Sequence, residues 1–167
     1  MTPSLRKLVL SVHLTFSVGW IGAAAGYIGL GVAAVRSQDD VIVRAAWMAM
    51  ELTGWFVIVP LAVLSLLTGV VMAIGTKWGL LRHYWVVISF VLTTFSVVIL
   101  VLHMPSVSAT AELAQTAEGA ALEALGGDLG HPAIGLAILL VVQVLNVYKP
   151  RGMTRYGWRK QHELSAL

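Results

Sequence analysis

Five histidines, at positions 13, 83, 103, 131 and 162, and a glutamate inside an apolar run, Glu51, are the residues here whose types suit ligand chemistry. The chain has no cysteine, which excludes disulfides, iron–sulfur clusters and thiolate metal sites. Imidazole nitrogen is therefore the principal soft donor. Of the six methionines, Met48, Met50 and Met104 cluster toward one end of the apolar segments as weaker copper donors, although methionine more often packs. Two neutral imidazoles from facing helices can hold a haem iron axially. Imidazole with carboxylate suits zinc or copper.

The elements that must position these groups are apolar. Of the 167 residues, 58% are hydrophobic and 11% charged, and the mean hydropathy is +0.85. A small soluble core cannot bury so many apolar residues, so lipid must solvate much of the surface. Four segments are long enough to span a bilayer: Leu8 to Val35, about Val41 to Gly75, Trp78 to Met104, and Pro132 to Tyr148. The expected fold is all-α, an integral membrane bundle of four transmembrane helices over 1–150, with a basic tail over 151–167. The first segment outruns a signal-peptide apolar core and reads as a retained span.

Basic residues alternate by compartment. Nine lie on one side and two, Arg36 and Arg44, on the other. The positive-inside rule then places both termini on the cytoplasmic side of the membrane. The connection from Pro105 to His131 carries no Lys or Arg and would lie outside. Its stretch Ala109 to Leu125 predicts a short surface helix, ended by Gly126 and Gly127. His131 precedes Pro132, a favoured first helical residue. The tail, with Tyr156 and Trp158 among its basic residues, reads as a segment beside anionic headgroups, not as a nucleic-acid binder. His162 within it reads as solvated.

Depth groups the ionisable residues. At about 1.5 Å per residue, His13 lies about 13 Å and His83 about 12 Å inward of their helix midpoints. Glu51, His131 and His103 lie about 11, 13 and 18 Å outward of theirs. The inner pair, His13 and His83, is thus a candidate axial set, with Trp20 on the His13 face two turns later. His103, His131 and Glu51 form a candidate outer site for haem or a metal ion. Ionisable groups inside a membrane are costly and usually functional. Each also has a plainer reading: His83 as an interfacial residue beside Arg82, Tyr84 and Trp85, His103 as a helix-end residue, His131 as a cap, and Glu51 as a partner of Arg44. Gly19, Gly22, Gly26, Gly29 and Ala33 line another face of the first helix, where small residues admit a close neighbour. Pro60 predicts a kink in the second helix.

The motif His13-x6-Trp20-x-Gly22 resembles the opening helix of small bacterial multi-helix membrane families. These are the copper-resistance-D-like proteins, related integral membrane proteins of unknown function, and the haem-dependent protoporphyrinogen oxidases of the HemJ type. The segment Pro60 to Val87 resembles the second-to-third helix region of the unknown-function group in actinobacteria. The resemblance implies a b-type haem or a metal at His13. An oxidase would also carry a basic residue near its haem, for which Lys77 and Arg82 are the candidates. The leading expectation is a haem b protein that moves electrons, with a redox partner or a quinone from the bilayer. The alternatives are a copper or zinc binding or transport protein using the outer cluster, and a non-catalytic scaffold whose glycine stripe docks a partner or a second copy in a homo-oligomer.

Overall fold

The computed structural model describes residues 1–76 and 78–165, the side chains of residues 164 and 165 excepted. Lys77 therefore lies outside the described residues. Among them are α1 (Pro3–Arg36), α2 (Asp40–Thr53), a π-helical turn (Gly54–Ile58), α3 (Val59–Gly75), α4 (Tyr84–Thr116), α5 (Ala120–Glu123), α6 (Gly130–Tyr148) and α7 (Arg155–Ser165). The turn joins α2 and α3 into one span, Asp40–Gly75, so four helices are long and apolar enough to cross a membrane. The protein is an all-α, multi-pass membrane bundle.

Local chemistry sets the boundaries. Thr2 caps α1 by accepting the Leu5 amide at 3.4 Å, and Pro3, needing no amide partner, opens the helix. Asp39 accepts the Val41 amide at 2.9 Å and starts α2 directly after the Ser37 turn. Pro60 has no N–H to give back along the second span. The chain adjusts just before it, where Val59 bonds back five residues to Gly54. The expected kink is thus a π turn ahead of the proline. At the end of α6, Lys149 adopts φ 46° and Pro150 follows, which prevents continuation.

Two expectations about the third span change. Trp78 to His83 is a turn, and α4 starts at Tyr84. The helix then runs through Pro105 to Thr116, so the first part of the expected surface helix, from Ala109 to Thr116, is its extension, and the single turn α5 is separate. A proline removes one backbone hydrogen bond but does not stop a helix held by its neighbours. The extension is held by packing and by Arg44, whose Nη1 donates to the terminal carbonyls of Ala114 at 3.2 Å and Gln115 at 2.7 Å. Arg44 also lies 3.8 Å from Asp40, so it serves the α4 terminus and not Glu51. The fourth span likewise starts earlier than expected, at Gly130, with His131 and Pro132 in its first turn.

The spans form a closed four-sided bundle. Helix α1 packs on α2–α3 and on α6, and α4 packs on the same two. The core joins Trp20 and Tyr27 of α1, Trp47 and Met50 of α2, Met104 and Val107 of α4, and Leu122 of α5. Met50 and Met104 are 0% and 1% exposed, so both pack and neither is offered to a solvent-borne ion.

The glycine stripe is not the seam within this chain. Gly22, Gly26 and Gly29 are exposed, and a Cβ at any of them would meet nothing within 4 Å. The close approach falls instead at Gly31, against the loop before α6. At the end of the bundle holding both termini, the tail turns back. A bridge joins Met153 to His83, and Thr154 Oγ1 donates to the Leu81 carbonyl at 2.6 Å. Gly157 lies against the Arg82 carbonyl. We call this the basic end, for Arg6, Lys7, Arg82 and Lys149.

Candidate metal centre at the far end of the bundle

The site is built by a turn folded onto α1. The stretch Gly126-Gly127-Asp128-Leu129-Gly130-His131 links α5 to α6. Gly126 takes φ 57°, which L side chains rarely adopt. Gly127 rests on the Gly31 backbone. A Cβ on Gly31 would stand 2.8 Å from the Asp128 carbonyl oxygen, so these two chain segments meet only because both glycines lack side chains. Trp47 Nε1 donates to the Gly126 carbonyl at 3.2 Å and fixes the turn from the other side.

This docking aims the Asp128 carboxylate into the bundle, where its side chain is 10% exposed. Tyr27, one helical turn before Gly31, donates its phenol proton to Asp128 Oδ2 at 2.9 Å. His103 Nε2 lies 2.7 Å from the same oxygen. An ionised carboxylate has no proton to give, so the His103 Nε2–H donates. The ring of His131, in the first turn of α6, stacks on that of His103 with centroids 4.0 Å apart and planes at 24°.

One donor atom from each of His103, Asp128 and His131 falls within 4.8 Å of the others. The donor set suits zinc or copper(II), which take imidazole and carboxylate together. His131 is exposed and His103 and Asp128 are half-buried, which gives an ion an entry path and a sheltered seat. A cavity of about 130 Å³ adjoins them, walled by Trp20, Tyr27, Met104 and Leu139. The buried Ser96 hydroxyl, on its wall, has no hydrogen-bond partner. From Tyr84 to His103 the helix rises about 28 Å at 1.5 Å per residue, close to the hydrocarbon thickness of a bilayer. The site thus lies near the membrane boundary opposite the basic end.

The other candidate residues sit elsewhere. Glu51 is half-buried on α2 and is not in this group. His13 is at the basic end, where Nδ1 lies 3.0 Å from Thr68 Oγ1 of α3 and the ring edge fits against Gly69. It lines a second cavity of about 400 Å³. His83 does not line that cavity. It precedes α4, donates Nδ1–H to the Trp78 carbonyl at 2.8 Å, and packs edge-on against the Trp78 ring. Trp20, 4% exposed, lines both cavities and stands between them. His162, in α7, stacks on Trp158.

Sequence reading grouped His103 with His131 by depth but missed Asp128 and Tyr27. Asp128 is the acidic residue nearest His131, in a glycine-flanked turn, and that was the available signal. Tyr27 is 101 residues away from it and carried none. No protein-family model matches the chain, and neither the curated proteins nor the solved structures contain a match.

Proposed function

We propose that the protein is a membrane-embedded transition-metal-binding protein that takes zinc or copper at His103, Asp128 and His131. The observation supporting this most directly is the convergence of those three donors within 4.8 Å, from α4, the α5–α6 turn and α6. The carboxylate already sits between two proton donors. A cation there would be held by His103 Nε2, with the ring proton then on Nδ1, and by the Asp128 carboxylate, which Tyr27 would orient. Such outer partners fix ligand geometry and tune affinity.

The haem expectation fits less well. Two axial imidazoles must face each other across the iron, whereas the His103 and His131 rings are stacked. His83 does not share the cavity that His13 lines. Metal analysis of the purified protein after loading with zinc or copper(II) and dialysis tests the proposal. We expect about one equivalent in the parent chain and loss of retention in His103→Ala, Asp128→Ala and His131→Ala variants that keep their helical spectrum. Retention unchanged in all three, or a haem Soret band that depends on His13 with no metal retained, overturns the reading.

A further inference from the structure

The cavity at the basic end holds polar groups that the metal centre does not use. It is walled by aromatic side chains, including Trp20, Trp85 and Phe90, with His13 and Ser89 among its polar lining residues. Leu10 and Leu14 of α1 and Val147 of α6 also line it and are exposed on the apolar outer surface of the bundle. The cavity thus borders the lipid-facing surface between α1 and α6, while the exposed Arg6, Lys7 and Lys149 line its basic end. A cavity of about 150 Å³ holds a benzene ring. At about 400 Å³ this one accommodates a substituted one- or two-ring head with the start of a tail.

The hydrogen bonds fix what such a head must offer. Thr68 Oγ1 gives its proton to the Leu64 carbonyl at 2.7 Å, so it accepts from His13 Nδ1–H. The neutral ring then carries no proton on Nε2. Ser17, the nearest hydroxyl to that nitrogen, gives its proton to the His13 carbonyl at 2.8 Å and lies 3.5 Å from Nε2, too far for a good bond. Nε2 is thus left with only that long contact. Ser89, 7% exposed, has a buried hydroxyl with no partner among the described residues. A weakly partnered ring nitrogen and an unsatisfied hydroxyl on one cavity wall point to something that completes them.

We propose that this cavity binds the hydroquinone head of an isoprenoid quinol, with one ring hydroxyl donating to His13 Nε2, the other partnering Ser89, and the ring against Trp20 and Trp85. The apolar tail leaves at the lipid-facing surface between α1 and α6. The oxidised quinone has only carbonyl oxygens and no proton for His13 Nε2, so the site prefers the reduced form. The reading is independent of the metal centre, which lies beyond Trp20.

Anaerobic equilibrium dialysis of the detergent-purified, metal-free protein against a short-tailed ubiquinol, and separately against its oxidised form, tests this. Saturable binding of the quinol, at least tenfold tighter than the quinone, is expected. His13→Phe should remove that preference and Ser89→Ala should weaken quinol binding three- to tenfold, each with an unchanged thermal melt. Absence of saturable binding, equal affinity for both redox forms, or full affinity in the small Ser89→Ala change together with His13→Phe overturns the proposal. So does retention of an anionic phospholipid that the quinol cannot displace.

Discussion

Replacing Gly31 by alanine tests whether the turn before α6 positions the metal ligands. The added Cβ would stand 2.8 Å from the Asp128 carbonyl oxygen and 2.9 Å from Leu129 Cδ2. Contacts of this kind ordinarily begin near 3.4 Å. The Asp128 backbone must therefore retreat by about 0.6 Å, since a main-chain atom cannot rotate away as a side-chain tip can. A ligand set tolerates about 0.5 Å of misplacement before its affinity suffers. Overpacking of this size costs about 1–3 kcal/mol of stability. We expect zinc affinity, measured by competition with a chromogenic chelator, to fall at least tenfold, with a lower melting temperature. Gly26→Ala is the control, because a Cβ there meets nothing within 4 Å, and it should change neither quantity. Parent-like zinc affinity in Gly31→Ala, or equal damage from Gly26→Ala, would refute the reasoning.

Tyr27→Phe removes the phenol donor from Asp128 without changing the packing of the ring, and should weaken metal affinity about 10- to 100-fold while leaving circular dichroism intact. Zinc held by His103 Nε2 would leave the neutral ring's proton on Nδ1, so the 15N chemical shifts of His103 should report that change of tautomer on loading, and an unchanged tautomer would count against Nε2 as the ligand. Arg44→Met deletes the charged donor to the Ala114 and Gln115 carbonyls and should cost about 1.5–3 kcal/mol in denaturant unfolding, with exchange of the last-turn α4 amides accelerated. Gly157→Val drives a side chain into the Arg82 backbone and should undock α7, read as faster proteolysis after Arg155 and Arg159.

The spans were legible in the sequence because membrane-length apolar runs leave few alternatives, whereas the start of α1 at Pro3, capped by Thr2, lies ahead of the expected Leu8 because a capped polar turn extends a helix beyond its apolar run. The passage of α4 through Pro105 was not legible. Whether a proline ends a helix depends on what supports the turn beyond it, here the core packing of Val107 and Ala111 and the Trp55 Nε1 bond to Ser108 Oγ at 3.0 Å, while Arg44 holds only the last turn. The glycines of α1 showed a face by their spacing but not its neighbour, and the residue that does touch a backbone, Gly31, lies off that stripe. At the candidate metal centre, depth brought His103 and His131 together because both follow from helix length. Asp128, three residues before His131, was within reach of the sequence, but Tyr27 joins only through the folded turn, and a separation of 101 residues hides that contact. The depth match of His13 with His83 carries no information on azimuth, since depth fixes only height in a bundle, and His83 turns toward the Trp78 carbonyl.

The coordination shell of the zinc-loaded protein, read by X-ray absorption at the zinc edge, bears most directly on the central claim. The account predicts a first shell near 2.0 Å with the multiple-scattering signature of two imidazoles plus oxygen, and loss of that signature in the His103→Ala, His131→Ala double variant. An all-oxygen shell, or a two-imidazole shell that survives the double substitution, would contradict it.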